Sequence, residues 1–157
     1  MKKAHFIGIG GIGMSSLAEI LIKDGVKVSG SDLKENSAVG RIKLLGGEFF
    51  LGHRVSNIKD DVTEVIYSTS IGNSNPELLL AKKRKLNIMH RSDLLLELSR
   101  KKVSIFVSGA HGKTTTSSMV SLVLKEGGLD PTCSVGGEMI NFKTNAIFGK
   151  GKYFVGE

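Results

Sequence analysis

Two glycine-rich stretches carry residues whose types and spacing suit phosphate chemistry. One is Gly109-Ala110-His111-Gly112-Lys113-Thr114-Thr115-Thr116, which follows the apolar run Val103 to Val107. Its glycines let the backbone curl so that N–H groups point inward, Lys113 can reach the β and γ phosphates of a nucleoside triphosphate, and Thr114 supplies a hydroxyl for Mg²⁺. A helix continuing from Lys113 would add unpaired N–H groups and the positive end of its dipole. The general pattern G-x-x-x-x-G-K-[ST] would place its first glycine at Val107, so this loop is a shortened one. Consecutive threonines are poor helix formers, and their place at a helix start points to a ligand. His111 lies inside the loop, near where the γ phosphate would be.

The other stretch, Gly8-Ile9-Gly10-Gly11-Ile12-Gly13, follows the apolar Ala4-His5-Phe6-Ile7 and satisfies G-x-G-x-x-G. Asp32 stands 19 residues beyond Gly13 (32 − 13), near the distance at which a dinucleotide fold places an acid on a ribose hydroxyl. Taken alone, this is the signature of an NAD site. A nucleotide-sugar, with its own pyrophosphate and ribose, asks the same loop for the same contacts.

Strands and helices must alternate to position these loops. Met14, Leu17, Ala18 and Leu21 form an apolar helical stripe closed by Gly25. The spacing then predicts strands at Val26–Ser31, Glu48–Leu51, Val62–Tyr67 and Asn87–Met89. Helices are predicted at Val39–Leu45, from Pro76 to about Lys85 with Asn75 as cap, and at Asp93–Arg100. Val103–Val107 reads as a buried parallel strand feeding the triphosphate loop, and Tyr153–Glu157 as a further strand. The fold class is therefore α/β: a Rossmann-like parallel-sheet domain over residues 1–102, then the start of a P-loop-type domain over 103–157. In such sheets the crevice lies beyond the carboxyl ends of the strands, where Gly10 to Gly13, Ser31, Asp32 and Ser68-Thr69-Ser70 all fall. His90 and Arg91 end another strand, where Arg91 could meet a phosphate. His53 reads as a loop residue, His5 as an edge-strand residue and the lone Cys133 as a buried strand residue.

Composition narrows the function classes. There are 22 Lys and Arg against 15 Asp and Glu, a net charge of +7, yet the basic clusters sit at predicted helix ends with no interleaved aromatics, which argues against a nucleic-acid groove. No apolar run is long enough to span a membrane, and Met-Lys-Lys leads into a strand instead of a signal-peptide cleavage site, so a cytoplasmic protein is expected. One cysteine allows neither a disulfide nor a cysteine metal site.

His-Phe-Ile-Gly-Ile-Gly-Gly-Ile-Gly-Met-Ser at the start, Ser29-Gly30-Ser31-Asp32, Ser70 through Asn75-Pro76-Glu77, and Gly-Ala-His-Gly-Lys-Thr-Thr-Thr together resemble the Mur ligase family over essentially the whole chain. Within it, the Gly8 to Gly13 run resembles the members that join L-alanine to UDP-N-acetylmuramate in peptidoglycan synthesis. The resemblance implies an ATP-dependent ligase in which ATP phosphorylates the substrate carboxylate and the amine attacks the acyl phosphate. It places Gly10, Gly11 and Gly13 on the UDP pyrophosphate, Ser31 with Asp32 at the uridine end, Ile12 and Ser70 also on the UDP substrate, and Gly109, Ala110, His111, Gly112, Lys113, Thr114 and Thr115 on ATP. Lys113 is the catalytic cation, and Thr114 with Glu157 the Mg²⁺ ligands. Ala110 departs from the family's usual threonine, which a cradle made of backbone tolerates. In the family, Glu157 continues into an acidic segment, and further metal ligands and the amino-acid-receiving domain follow; the 157 residues alone are expected to lack ligase activity. Other readings stay open: a ligase that recycles muramyl peptides, an NAD-dependent oxidoreductase domain, and a non-catalytic nucleotide-sugar binding module.

Overall fold

The structure, a computed structural model, describes residues 2–157. Short apolar runs separated by glycine and polar turns form a parallel sheet of β1 (Lys3–Ile7), β2 (Lys27–Asp32), β3 (Glu48–Leu51), β4 (Glu64–Tyr67) and β5 (Asn87–His90), in the order β3-β2-β1-β4-β5. Every residue of β1 is buried, as a strand flanked on both edges and covered on both faces must be. His5 is therefore not an edge-strand residue. It sits in the middle of the sheet, and its imidazole needs internal partners.

Alternation along β1 divides its side chains between two cores. Ala4 and Phe6 pack against Leu17 and Leu21 of α1 (Ile12–Lys23), together with Val39 and Ile42 of α2 (Ser37–Leu44) and Leu94 of α4 (Arg91–Arg100). Ile7 faces the other way, onto Val65, onto Leu78 and Ala81 of α3 (Pro76–Lys83), and onto Ile58 beside a 3-10 turn at Val55–Asn57. Asn75 caps α3 as expected, accepting from Glu77 N–H at 2.9 Å and Leu78 N–H at 3.1 Å. Asn36 does the same for α2, accepting from Val39 N–H at 3.0 Å.

After α4 the chain passes through Lys101-Lys102 into a second sheet: β6 (Val103–Phe106), β7 (Thr132–Met139), β8 (Thr144–Ile147) and β9 (Tyr153–Gly156), ordered β6-β9-β7-β8. β6, β9 and β7 run parallel, and β8 returns antiparallel to β7. Helix α5 (Lys113–Glu126) covers this sheet through Val120 and Leu124 over Cys133, Val135 and Val155. Cys133 is buried in β7 as its sequence context predicts, and burial pushes its thiol up to about 11. The expectation of a buried β6 is corrected: among the described residues it pairs with β9 alone, and Val103 and Phe106 are 55% and 45% exposed. An edge strand lacks the second neighbour that would cover such side chains.

Helix α1 also joins the sheets. Its hydroxyl Ser16 meets Ser134 of β7 at 2.7 Å, and its buried Glu19 accepts from Thr144 at 2.8 Å and from Arg41 Nε at 3.0 Å. Arg41 continues to Glu138 and to the Asn145 amide oxygen, both at 3.2 Å. Removing Arg41 leaves Glu19 buried without its cation, so Arg41→Ala is expected to cost about 3 kcal/mol in denaturant unfolding. An unchanged unfolding midpoint would show that this network is idle.

Candidate functional site

Both glycine loops follow the carboxyl ends of strands, where the ladder's hydrogen bonds stop. In the first loop, Gly8 and Ile9 N–H still donate to Ser31 O, at 2.8 and 3.0 Å, and Gly11 N–H donates to Gly8 O at 3.1 Å. Gly10 N–H is taken by Asp32 Oδ2 at 2.8 Å, and Gly10 O accepts from the Asn36 amide at 3.0 Å. The N–H groups of Ile12, Gly13 and Met14 at the start of α1 have no acceptor among the described residues. Free donors on a helix N-terminus suit an anion. The loop borders a crevice of 410 Å³ lined by Gly11, Asp32, His53, Ser68, Ser70 and Asn75, beyond the carboxyl ends of β1, β2 and β4 and beside the β1–β4 pair, where the strand order reverses.

The sequence-assigned residues are not equivalent here. Gly11 and Ser70 are exposed on the crevice wall. Asp32 also lines it, but both carboxylate oxygens already hold backbone, Oδ1 accepting from Leu33 N–H at 2.7 Å. Its first effect is to shape the loop. Ser31 lies behind the crevice wall: its side chain is fully buried and donates to Glu77 Oε2 at 2.6 Å.

Glu77 is the centre of a network that sequence reasoning missed. It is fully buried and also meets His5 Nε2 at 3.4 Å, Arg54 N–H at 3.1 Å and the Asn57 amide at 2.5 Å. His5 Nδ1 lies 2.9 Å from Ser29 Oγ, and His53 Nδ1 lies 2.9 Å from Ser31 Oγ. Burial alone would raise the Glu77 pKa; hydrogen bonds with His5, Ser31 and Asn57 outweigh it and hold the carboxyl below its ordinary 4.5. A signal was present in the sequence. Ser29 and Ser31 alternate on one face of β2, and His5 faces Ser29 across the ladder, so one side of two buried strands required a polar partner.

The second loop is built on β6 and α5. Among the described residues, no group accepts from the backbone N–H groups of Ser108 through Thr115, which leaves a continuous run of donors around the turn. Gly112 caps α5 at φ +76°, a left-handed conformation that glycine adopts without penalty. Lys113 Nζ folds back onto Gly109 O at 2.5 Å and Ala110 O at 3.4 Å. Ala110, His111 and Thr115 are exposed. Thr114 Oγ1 donates to Glu157 Oε2 at 3.2 Å, and Glu157 Oε1 accepts from Gly136 N–H. The hydroxyl and carboxylate that the family resemblance assigns to a metal ion thus lie side by side.

Residues 3–103 match the sequence profile of the Mur ligase family, catalytic domain. The chain belongs to the Mur ligase family. This Mur ligase chain is 48% identical over its whole length to UDP-N-acetylmuramate--L-alanine ligase of Geobacter sulfurreducens, of which it covers 34%. It is 49% identical to the enzyme of that name from Carboxydothermus hydrogenoformans, again covering 34% of it. Among solved structures, UDP-N-acetylmuramate-alanine ligase MurC from Thermotoga maritima superposes with a TM-score of 0.91 at 33% identity, over 99% of this chain and 37% of that one. The UDP-N-acetylmuramate:L-alanyl-gamma-D-glutamyl-meso-diaminopimelate ligase from Neisseria meningitides gives the same TM-score of 0.91 at 28% identity, over 100% and 52%. The Mur ligase chain thus spans about a third of the length of the curated relatives it matches.

Proposed function

We propose that this Mur ligase chain contributes the UDP-N-acetylmuramate site and part of the ATP site of a ligase that joins L-alanine to UDP-N-acetylmuramate in peptidoglycan precursor synthesis. One observation carries it: a second phosphate loop, with Thr114 beside Glu157 at 3.2 Å, stands in the same molecule as the pyrophosphate loop. A hydride-transferring enzyme has no use for that second loop, and a passive binding module has none for its lysine. The names of the relatives favour the L-alanine-adding reaction over peptide recycling.

In this reading residues 1–102 hold the nucleotide-sugar and residues 103–157 begin the ATP unit. Free N–H groups at the start of α1 and along the second loop bind the two sets of phosphates. Lys113 leaves the loop carbonyls for the β and γ phosphates, where it supports negative charge that shifts during transfer of the γ phosphoryl group to the substrate carboxylate. The L-alanine amine then attacks the carbonyl carbon of the acyl phosphate, and phosphate leaves. Thr114 and Glu157 supply hard oxygen donors that fit Mg²⁺, and they are the residues that would hold it. Such an ion neutralises phosphate charge when bound. These substrates set the reaction in the cytoplasm.

Calorimetric titration of the chain with UDP-N-acetylmuramate, NAD and ATP in parallel tests the proposal. The first ligand is expected to bind with Gly10 to Gly13 and NAD is not. A side chain at Gly11 meets the protein only at ordinary contact distance, 3.4 Å from Gly8 O, so Gly11→Val should fold. It should weaken UDP-N-acetylmuramate about tenfold or more by blocking close approach to the phosphates. Tight NAD binding with no response to UDP-N-acetylmuramate would overturn the reading.

A further inference from the structure

We propose that Arg91 is a ligand of the substrate's pyrophosphate, closing the glycine loop from the side opposite Asp32. The inference rests on the nucleotide-sugar reading above and assigns a side chain to a contact otherwise made by backbone alone. Arg91 is the first residue of α4, the end where a helix dipole disfavours a cation. Nothing in the protein offsets this: among the described residues Arg91 has no carboxylate within 4.0 Å, and its guanidinium donates to none of them. Asp93, in the same first turn, is two residues away and points elsewhere on the helix. A partly buried arginine whose guanidinium has no acceptor among the described residues breaks a local rule, and such breaks cluster at functional positions.

Its location supplies the missing anion. A Cβ built on Gly13 would lie 2.6 Å from Arg91 Nη1 and 3.1 Å from both Cδ and Cζ, so the guanidinium lies directly over the turn whose N–H groups are free. Gly13 is needed less for its own φ than for the room it leaves this arginine. The backbone that carries Arg91 is held firmly. His90 Nδ1 accepts from Ser92 N–H at 3.3 Å and lies 2.8 Å from Ser92 Oγ, and its ring stands edge-on to Tyr67 at 5.3 Å. The strand register continues this support, pairing His90 with Tyr67 and Ile66 with Phe6. Strand β5 therefore brings the start of α4, and with it Arg91, to the loop after β1, across β4, while Asp32 and Asn36 hold the loop's other flank. A planar guanidinium can meet two phosphate oxygens at once, which no N–H of the loop does.

Binding of UDP and of uridine to the 157-residue chain separates this role from a packing role. Arg91→Met keeps the length and apolar contacts of the side chain, and Arg91→Gln is a second, polar replacement judged by the same ratio. Each is expected to weaken UDP about tenfold or more through the lost charge-assisted pair, with uridine affinity and melting temperature unchanged. Arg91→Lys should recover part of the loss. Gly13→Ala, which displaces the guanidinium without removing it, should give the same selective loss. Equal UDP affinity in wild type, Arg91→Met and Arg91→Gln would overturn the proposal, as would parallel losses of UDP and uridine, the mark of a structural residue. A wild-type chain that binds neither ligand overturns the nucleotide-sugar reading itself.

Discussion

Replacing Lys113 by alanine in a ligase carrying this segment in full is expected to reduce turnover about 10³-fold, the scale of losing one preorganised charge at a transition state. UDP-N-acetylmuramate affinity should stay unchanged, because the two glycine loops lie on different sheets. The lysine's ground-state contacts support this separation. Among the described residues its ammonium bonds the carbonyls of Gly109 and Ala110 alone, so its removal breaks no buried pair and should leave melting behaviour intact. The loss then belongs to phosphoryl transfer, where charge spreads over the moving group's oxygens. Steady-state rates with saturating UDP-N-acetylmuramate, alongside calorimetry with that ligand, check the prediction. Near-normal turnover in the alanine variant would make the loop structural and the ATP assignment wrong.

Glu77→Ala should be the most destabilising of the changes considered. It strands His5, the Asn57 amide, the Arg54 N–H and the Ser31 hydroxyl around a dry cavity, and a comparable deletion of one buried charged partner costs about 3–5 kcal/mol. For a chain of this length that corresponds to a fall in Tm of roughly 10 °C. The same carboxylate makes stability depend on pH. Its pKa is held below the ordinary 4.5 in the folded protein, so its contribution is complete above that value and is lost as pH falls through the lower, folded value. Glu77→Gln keeps the shape and removes the charge. Melting temperatures between pH 7 and pH 3 should fall less for Glu77→Gln than for wild type; parallel curves would show that the carboxylate is not ionised in the fold. The network also reaches function through Ser31 to His53 on the crevice wall, so Glu77→Gln should weaken nucleotide binding without touching the ligand.

Local chemistry made much of this protein legible. Both glycine loops, with their free backbone N–H groups, could be read from glycine and lysine spacing, because where backbone points is decided over a few residues. Parallel α/β alternation was legible for the same reason: strand and helix periodicity are short-range. Sequence also brought Thr114 and Glu157 together, through a resemblance and not through spacing. Tertiary structure alone decided the exposure of β6, the partners of His5 and the place of Arg91. A run such as Val103–Val107 is equally apolar at a sheet's edge or centre, and only the count of neighbours tells them apart. Glu77 shows the limit most clearly. By position it is a first-turn acid that any exposed helix would carry, yet it is buried under strands drawn from β1 and β2, and its charge is held by groups up to 72 residues away. Neighbouring residues set which backbone donors are free, whereas which side chain meets them depends on strand order, since a crossover places β5 and its arginine beside a loop that left the sheet near the start of the chain.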